Sequence, residues 1–473
     1  MTTSMLIGRE QEKRVLLESF DSRQSEFVAV YGRRRVGKTF LIKETFDNTF
    51  DFYYTGIYQL GKKEQIKEFL RSLPTKQKAS TWFDVFSLLK EYLLSLNKEK
   101  VTVFLDELPW LDSPKSNFLQ AFSNFWNMWD SGNPQKVVLK LYVCGSATTW
   151  MTGKLIADKG GLYGRLTKTI KLKPFTLAEC EEYLEKCKEY HFDRSEILQL
   201  YMIFGGIPYY LSMLRGELSV AKNVDELVFA ETAPLYAEYG FLYKSLFKDS
   251  RKYEEVVELL SSKLKGLTRE EIRRATNIEG RVLTEILDNL VNCDFVRKQN
   301  EPGKTKKDAH YQLTDLYTLF FLRFAKNNHQ DEAFWSNAIL TPKWNTWSGY
   351  AFEKVCFLHL RQVKKKLGIE GVTSKDYAWQ QTANENQKGY QIDLIIDRAD
   401  HVMNICEIKY SESEYSITKD YTLHVRERMA AFRDAMKTRN ALKCTFITPF
   451  GVKNNEYRKM VDSEVNLDDL FQK

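Results

Sequence analysis

The chain has 473 residues, of which 43% are hydrophobic and 28% charged, and a formal net charge of +7. This composition excludes a disordered protein, and the length predicts roughly two to four domains, each able to bury its own core. The seven cysteines include no C-x-x-C pair, so neither a zinc ribbon nor a disulfide framework is indicated. The sequence has no apolar signal core near its start and no run of about 18 apolar residues. We therefore expect a cytoplasmic protein with no membrane partner.

The most specific motif is a match to the phosphate-binding pattern G-x-x-x-x-G-K-[ST]. Its residues, all predicted to contact the nucleotide, are Gly32, Arg33, Arg34, Arg35, Val36, Gly37, Lys38 and Thr39, followed by Phe40. An apolar run of strand length precedes the motif and a helical start follows it, an order that aims backbone N–H groups and a positive helix end at a phosphate. We expect Lys38 to reach the β- and γ-phosphates of ATP and Thr39 to bind Mg²⁺.

A second apolar run, 101–105, ends in two acids, Asp106 and Glu107. A buried strand of this kind delivers carboxylates to the edge of the sheet where open α/β sheets bind ligands. We expect Asp106 to hold Mg²⁺ and Glu107 to orient and deprotonate the attacking water. A further strand, 137–144, leads to Ser146, a short polar residue that can report on the γ-phosphate. The alternative for both strands is that each simply ends in a polar turn whose residues have no role in binding or hydrolysing the nucleotide.

Arg165 follows these strands in a glycine-rich segment, 161–165. One reading is an arginine finger that neutralises transition-state charge, either in its own chain or across a homo-oligomer. The other is a solvated loop arginine.

Six segments follow one another in an order that resembles an archaeal and bacterial AAA+-type ATPase family related to the STAND nucleotide switches. They are Ile7–Glu10, the phosphate-binding loop, Leu105–Leu111, Gly145–Met151, Gly161–Arg165 and Gly205–Leu211. The resemblance covers roughly residues 5–235. It implies that Arg9 and Glu10 lie near the adenine, that Ser146 is the sensor and that Arg165 is the family's arginine. It also implies that Pro208 lies in a helical lid against the nucleotide.

Residues 251–313 predict three helices followed by two strands that flank a charged loop. Thr268 and Glu271 are in capping-box register at the start of the second helix. This order is the winged helix-turn-helix plan, in which Arg273, Arg274 and Arg281 lie where a DNA duplex could be met. The alternative is a packing module without nucleic-acid contact.

Three acids and a lysine stand out in the last third of the chain. Glu353 lies on a predicted helix, Asp393 near the start of a strand, and Glu407 and Lys409 at the end of the next strand. Because alternate residues of a strand share a face, Glu407 and Lys409 point together. Asp393 and Glu407 are predicted to converge on one hard cation, Mg²⁺ or Mn²⁺, with Lys409 placed to assist attack on a phosphodiester.

These four residues match the pattern of the restriction-endonuclease-like PD-(D/E)xK superfamily, which the segment 345–450 resembles. A small domain of this kind is commonly fused to the ATPase family named above. The segment departs from the pattern at Ile392, where the name-giving proline would stand, a position that contributes no ligand. The alternative is an inactive nuclease-like fold used for binding.

The predicted architecture is α/β with four domains. These are a P-loop ATPase core with a parallel sheet over 1–173, a helical lid over 174–245, a winged helix with a packing helix over 246–325 and a nuclease-like domain over 326–473. The predicted function is an ATP-hydrolysing switch that controls a metal-dependent DNA phosphodiesterase. Its cofactors are ATP and Mg²⁺, with Mn²⁺ possible at the nuclease-like site, and DNA is the expected partner. Two alternatives stay open: a nucleotide-dependent switch whose C-terminal domain binds nucleic acid or a protein without cleavage, and a translocase, for which no pore loop is apparent.

Overall fold

The computed structural model describes residues 5–132, 136–157, 161–247, 249–263, 265–299, 309–339, 341–383 and 388–473. The chain divides into two compact units, Met1–Pro174 and Phe175–Lys473. Most of the charged loop predicted between the two hairpin strands lies outside the described residues. Over the ranges given above, no helix has the length and apolar character that a membrane span requires. The further division of the second unit into lid, winged helix and nuclease-like domain stays a prediction.

The first unit is built on a five-stranded parallel sheet. Its strands are β1 (Glu26–Tyr31), β2 (Phe52–Thr55), β3 (Lys100–Asp106), β4 (Val138–Gly145) and β5 (Lys168–Lys171). Their order across the sheet is β2-β3-β4-β1-β5. The interiors of β1 and β3 are buried, which requires the near-continuous apolar runs that the sequence shows. One strand, β4, separates β1 from β3, so the phosphate-binding loop and the acids of β3 lie at one edge of the sheet.

In the described residues of the first unit, six α-helices accompany this sheet. They are α1 (Glu10–Asp21), α2 (Lys38–Thr45), α3 (Lys62–Arg71), α4 (Trp82–Ser95), α5 (Phe118–Gly132) and α6 (Thr148–Trp150). The aromatic rings of α4 and α5 form the core against the sheet: Phe27 of β1 lies 5.5 Å, ring to ring, from Phe122, and Phe86 lies 5.6 Å from the same ring. This packing fixes the strand whose end becomes the phosphate-binding loop.

The second unit begins with five helices. They are α7 (Leu177–Lys188), α8 (Arg194–Phe204), α9 (Pro208–Leu211), α10 (Val220–Val224) and α11 (Pro234–Leu246). Thr176 caps α7, as the sequence predicts, in a complete capping box with Glu179. Gly206 is required by a close approach, since a Cβ there would lie 1.9 Å from the carbonyl oxygen of Phe175.

Three helices and a three-stranded antiparallel sheet follow. The elements are α12 (Ser250–Ser262), β6 (Leu267–Thr268), α13 (Arg269–Thr276), α14 (Gly280–Asn292), β7 (Val296–Gln299) and β8 (His310–Leu313), with strand order β6-β8-β7. The capping box of Thr268 and Glu271 is present. Arg273 and Arg274, two of the predicted DNA-facing residues, both form ion pairs with Glu270 on the surface of α13.

The C-terminal part of the second unit is a mixed five-stranded sheet with flanking helices. Its elements are α15 (Leu316–Phe320), α16 (Phe334–Ala338), α17 (Pro342–Leu358), α18 (Leu360–Lys366), β9 (Ser374–Gln381), β10 (Tyr390–Arg398), β11 (Val402–Ile408), α19 (Lys419–Met436), β12 (Ala441–Ile447), β13 (Ser463–Val465) and α20 (Leu467–Leu470). The strand order is β13-β12-β11-β10-β9. The pairs β9–β10 and β10–β11 are antiparallel, whereas β11–β12 and β12–β13 are parallel.

Several short helical turns complete the described chain. They are the 3₁₀ helices Leu108–Leu111 and Glu456–Met460 and the π-helical turns Met151–Ile156, Asp225–Phe229 and Phe321–Ala325. The last of these directly follows α15, and the two together stand where the sequence predicts the packing helix.

Candidate functional site

The phosphate-binding loop has backbone conformations that explain its glycines. Gly32 has φ +147°, and a Cβ there would lie 2.2 Å from the carbonyl oxygen of Leu172. Gly37 has φ +90° and is the N-cap of α2. Lys38, the first residue of α2, is buried, and its Nζ donates hydrogen bonds to the carbonyl oxygens of Gly32, at 3.2 Å, and Arg33, at 2.9 Å. The lysine therefore folds back over the loop, with its charge at the start of a helix.

The first predicted acid lies against the loop. The hydroxyl of Thr39 is 3.0 Å from both carboxylate oxygens of Asp106. Cys144 of β4 donates its thiol to Asp106 at 2.6 Å, and burial together with the charge of Asp106 raises the pKa of that thiol well above its ordinary value. A hydroxyl and a carboxylate are hard oxygen donors, so Thr39 and Asp106 fit a Mg²⁺ ion bound with ATP phosphates.

The second acid, Glu107, follows β3 in a left-handed conformation with φ 45°. Its Oε2 accepts hydrogen bonds from the hydroxyl of Ser146, at 2.9 Å, and from the backbone N–H of Ser146, at 3.0 Å. The predicted sensor therefore holds the predicted catalytic carboxylate in place.

The remaining predicted nucleotide residues differ in exposure. Gly32, Arg33 and Val36 are buried, Arg34, Arg35, Gly37 and Thr39 are half-buried, and Phe40 is exposed. Arg9 is buried with φ 66°, and its guanidinium donates to the carbonyl oxygen of Lys173 at 2.7 Å. Arg165 is exposed, and Pro208 is the first residue of α9 in the second unit. Their roles at the nucleotide stay predictions.

The second candidate site is a cavity of about 690 Å³ inside the second unit. Glu353 of α17, Asp393 of β10 and Lys409, just past β11, all line it. The pairing of β10 with β9 shifts register between Ile392 and Ile395, directly around Asp393. Such irregularities turn a side chain out of its regular alternation. The structure thus brings together three of the four residues that the sequence predicts for this site.

Asp393 sits in an environment that disfavours its charge. Burial, followed by the negative charges of Glu353 and Glu407, raises the pKa of Asp393 to about 6, against the opposing effect of Lys409. Gln391 donates its side-chain amide to Oδ1 of Asp393 at 3.2 Å. A buried carboxylate surrounded by other carboxylates fits the neighbourhood of a cation.

Glu353 has a positive partner that the sequence reading missed. Nζ of Lys354 lies 2.9 Å from Oε1 of Glu353, and Lys354 is fully buried. Burial lowers the pKa of Lys354, while the charge of Glu353 opposes this change. The carboxylate therefore faces the cavity with a compensating charge behind it.

Glu407 is held away from the cavity. It is fully buried, and its Oε1 lies 2.5 Å from Nη2 of Arg428 on α19. The hydroxyl of Tyr421 donates to its Oε2 at 2.7 Å, and Nη1 of Arg428 also donates to the carbonyl oxygen of Gln391 at 2.9 Å. Arg428 and Tyr421 are functional candidates that the sequence analysis missed. The available signal was their spacing, because residues seven positions apart lie on the same face of a helix.

These contacts allow a test of fit for the predicted metal. Among the residues with described positions, no group of three or more His, Cys, Asp or Glu side chains is arranged to hold an ion. Asp393 and Glu353 offer two carboxylates that fit a hard cation. Glu407 fits it only when Arg428 gives up the ion pair.

His359 connects two parts of the second unit. Its Nε2 accepts a hydrogen bond from the backbone N–H of Leu177, the first residue of α7, at 2.9 Å, and its Nδ1 bonds the carbonyl oxygen of Val355 at 2.8 Å. Both bonds require the neutral Nδ1–H tautomer. Complete burial lowers the pKa of His359 to about 4.

We therefore expect His359 to make the second unit sensitive to acid. Because its folded pKa lies below the ordinary 6.5, its contribution is fully present above pH 6.5 and is lost as the pH falls toward 4. Between pH 7.5 and pH 5.5 the loss is about 1 kcal/mol. Urea unfolding of the full chain at both pH values checks this. His359→Gln should remove that part of the pH dependence, whereas His401→Gln, a change at an exposed histidine, should keep it. If the free energy of unfolding of wild type and of His359→Gln changed equally between the two pH values, the prediction would be wrong.

A parallel sheet whose edge carries the phosphate-binding loop and two acids resembles the central sheet of P-loop ATPases. Residues 6–214 match the family model described as an ATPase domain predominantly from Archaea. They are therefore an ATPase-like domain, consistent with ATP binding and hydrolysis. The particular relatives differ in how much of the chain they share.

The uncharacterized protein MJECL04 of Methanocaldococcus jannaschii is 27% identical over 419 residues, which cover 86% of this chain and 88% of that protein. The Walker-type ATPase PABY2304 of Pyrococcus abyssi has a TM-score of 0.48 at 19% identity, covering 67% of this chain and 96% of its own. The ORC2 protein of Aeropyrum pernix, in ADPNP–ADP complexes, has a TM-score of 0.45 at 17% identity, covering 68% of this chain and 94% of its own. At such TM-scores, neither solved structure adds to the argument.

Proposed function

We propose that this chain is an ATP-hydrolysing switch that controls a divalent-metal-dependent DNA phosphodiesterase in its C-terminal part. The observation that carries the proposal is the presence of two separate groups of chemically matched residues, one in each compact unit. Lys38, Thr39 and Asp106 are suited to ATP, whereas Asp393 and Lys409 are suited to a phosphodiester.

In the first unit, Lys38 would bind the phosphates, and Thr39 with Asp106 would hold Mg²⁺. The ion neutralises phosphate charge when it is bound. Glu107 would orient and deprotonate the attacking water. Ser146, which donates two hydrogen bonds to Glu107, would couple the position of that base to the γ-phosphate.

In the second unit, the three helices and hairpin over 250–313 follow the winged-helix plan. The sheet β9–β13 with α17 and α19 resembles the restriction-endonuclease-like plan. Asp393 and Glu353 would hold Mg²⁺ or Mn²⁺, which polarises a phosphoryl oxygen when bound. Lys409 would place a positive charge beside the scissile phosphate.

The test is a cleavage assay with the full chain on circular single-stranded DNA and on supercoiled plasmid. Each substrate is incubated with Mg²⁺ or Mn²⁺ together with ATP, ADP or no nucleotide. We expect cleavage that requires the metal and whose rate depends on the nucleotide. Absence of cleavage under every condition, with ATP hydrolysis intact, would refute the phosphodiesterase half of the proposal.

One observation favours a second candidate, a nucleotide-dependent switch whose C-terminal domain binds without cleaving. The ion pair of Arg428 with Glu407 already supplies the charge that a metal would bring to that carboxylate. This candidate predicts DNA binding that responds to ATP and no strand cleavage in the same assay.

A further inference from the structure

The cavity of the second unit has walls from two different parts of the chain. Asp393 and Lys409 line one side, and residues of the β7–β8 hairpin line the other. Arg297 of β7 fixes the hairpin in this place: its guanidinium lies 3.6 Å from the ring centre of Phe357 on α17. Its Nη2 also donates to Gln312 of β8 at 2.9 Å. The hairpin therefore covers the site, and a substrate must fit between the two walls.

Arg297 brings positive charge to the covered side. Burial lowers its pKa to about 10, while the charge of Glu353 across the cavity opposes this change. An arginine with this pKa remains a cation at neutral pH. The cavity thus has a cation on each wall, Arg297 on the hairpin and Lys409 on the sheet.

Three of the buried donors in the cavity walls lack an acceptor. They are the hydroxyl of Tyr350, which is 9% exposed, Nε of Arg297 and the amide nitrogen of Gln299, and none has a hydrogen-bond partner among the described residues. Leaving a buried donor unpaired costs free energy. These three atoms have almost no exposed surface, so their side chains must turn toward the cavity to donate to a bound group. The oxygens of a phosphate are acceptors that also suit an arginine.

The size of the cavity limits what can enter. At about 690 Å³ it falls within the range of pockets that enclose drug-sized molecules. One or two nucleotides fit that space, whereas a duplex, whose two backbones are held apart by grooves of about 12 and 6 Å, is too wide to enter it. Tyr410, which is half-buried, also lines the cavity and offers aromatic surface on which a base can stack.

We propose that this cavity binds one or two nucleotides of a single DNA strand, and that Tyr350, Arg297 and Gln299 hold a phosphate of that strand. The proposal rests on the proposed function, because it names the substrate of the same site. Asp393 and Lys409 then face the strand from the opposite wall. The hairpin acts as a positioning element that admits a separated strand or a strand end and excludes intact duplex.

The test measures binding rather than cleavage. Fluorescence anisotropy of a labelled oligothymidylate of about 15 nucleotides is recorded with the full chain in EDTA, so that no strand is cut. The same strand annealed to oligoadenylate is the duplex probe, and thymidine monophosphate is the competitor for a free-nucleotide site. We expect the single strand to bind at least about tenfold more tightly than the duplex and the mononucleotide to compete weakly.

Tyr350→Phe is the decisive variant, because it removes only a hydroxyl that has no hydrogen-bond partner within the described ranges. It should melt at the same or a higher temperature and bind the single strand about tenfold more weakly. Tyr377→Phe is the matched control: its hydroxyl is also buried without a partner among the described residues, but it does not line the cavity, so binding should not change.

Equal affinity for single strand and duplex, or unchanged affinity in Tyr350→Phe, would overturn the inference. If thymidine monophosphate displaced the oligothymidylate when present at the same concentration, the cavity would be a site for a free nucleotide, and the inference would also be wrong. The binding and cleavage assays together distinguish failure of this inference from failure of the proposed function. Strand binding that is lost in Tyr350→Phe without any cleavage would leave the inference standing alone. Cleavage of plasmid and single strand at equal rates, with Tyr350→Phe unaffected, would leave only the proposed function.

Discussion

Lys38→Ala is expected to lower the rate of ATP hydrolysis by roughly 100-fold or more, because it removes the cation that we propose binds the phosphates. It should also weaken ATP binding, since the proposed contact of Lys38 is made in the ground state as well. Glu107→Gln is expected to lower turnover by a factor on the order of 100 to 10,000, the typical contribution of a general base. It should leave ATP binding intact, because the amide keeps the shape of the carboxylate. Steady-state phosphate release and binding of a fluorescent ATP analogue measure the two effects separately.

The matched control is Lys63→Ala, which changes an exposed lysine of α3 in the same unit. Thermal melting of all three variants guards against loss of fold, since Lys38 is buried and donates to two carbonyl groups of the loop. A folded Glu107→Gln protein that hydrolyses ATP at the wild-type rate would disprove the role of Glu107. A Lys38→Ala protein with unchanged ATP affinity would disprove the placement of the nucleotide.

The nucleotide half of the molecule could be predicted closely because its features are local. The phosphate-binding loop requires glycines at positions with positive φ, and the sequence has glycines at those positions with the spacing of the motif. The strands β1, β3 and β4 are apolar runs, as a parallel sheet buried on both faces requires. The contact between Ser146 and Glu107 was not predicted, since it depends on how two strand ends meet after the sheet has formed.

The C-terminal sheet could be predicted only in part. The strands β10 and β11 are apolar and are predicted from the sequence, whereas β9 and β13 are not. β9 is a polar edge strand and β13 has three residues, so neither has a pattern that distinguishes it from a loop. Because β9 is not predicted, the sequence also gives no indication of the cavity between β9 and the β7–β8 hairpin.

The ion-pair partners of the predicted acids could not be predicted from the sequence either, because they depend on tertiary packing. Spacing along a strand gives the face of Glu407, but its ion pair with Arg428 depends on how α19 packs on the sheet. The burial of Lys354 beside Glu353 likewise depends on tertiary packing of α17. The pattern therefore identified the acids, and only the fold distinguishes the two that line the cavity from the one that is held by an arginine.

Lys409→Ala is expected to lower phosphodiester cleavage by roughly 100-fold or more and to leave ATP hydrolysis unchanged. Lys409 lines the cavity beside Asp393, where its charge opposes the rise in the pKa of that carboxyl and would stabilise charge developing on a phosphate. Cleavage of circular single-stranded DNA, followed over time with a saturating metal concentration, gives the rate. Lys419→Ala, at the exposed start of α19, is the matched control and should cleave at the wild-type rate.

Asp393→Asn separates chemistry from folding at the same site. Since burial raises the pKa of Asp393 to about 6, its ionised form destabilises the folded state at pH 8. The neutral asparagine removes this cost, so the variant should melt at the same or a higher temperature while cleavage is lost. Retained cleavage in a stable Asp393→Asn protein would remove the carboxylate from the mechanism. Loss of cleavage in both Asp393→Asn and Lys409→Ala, with ATP turnover intact, would place the nucleotide and phosphodiester chemistry at separate sites of one chain.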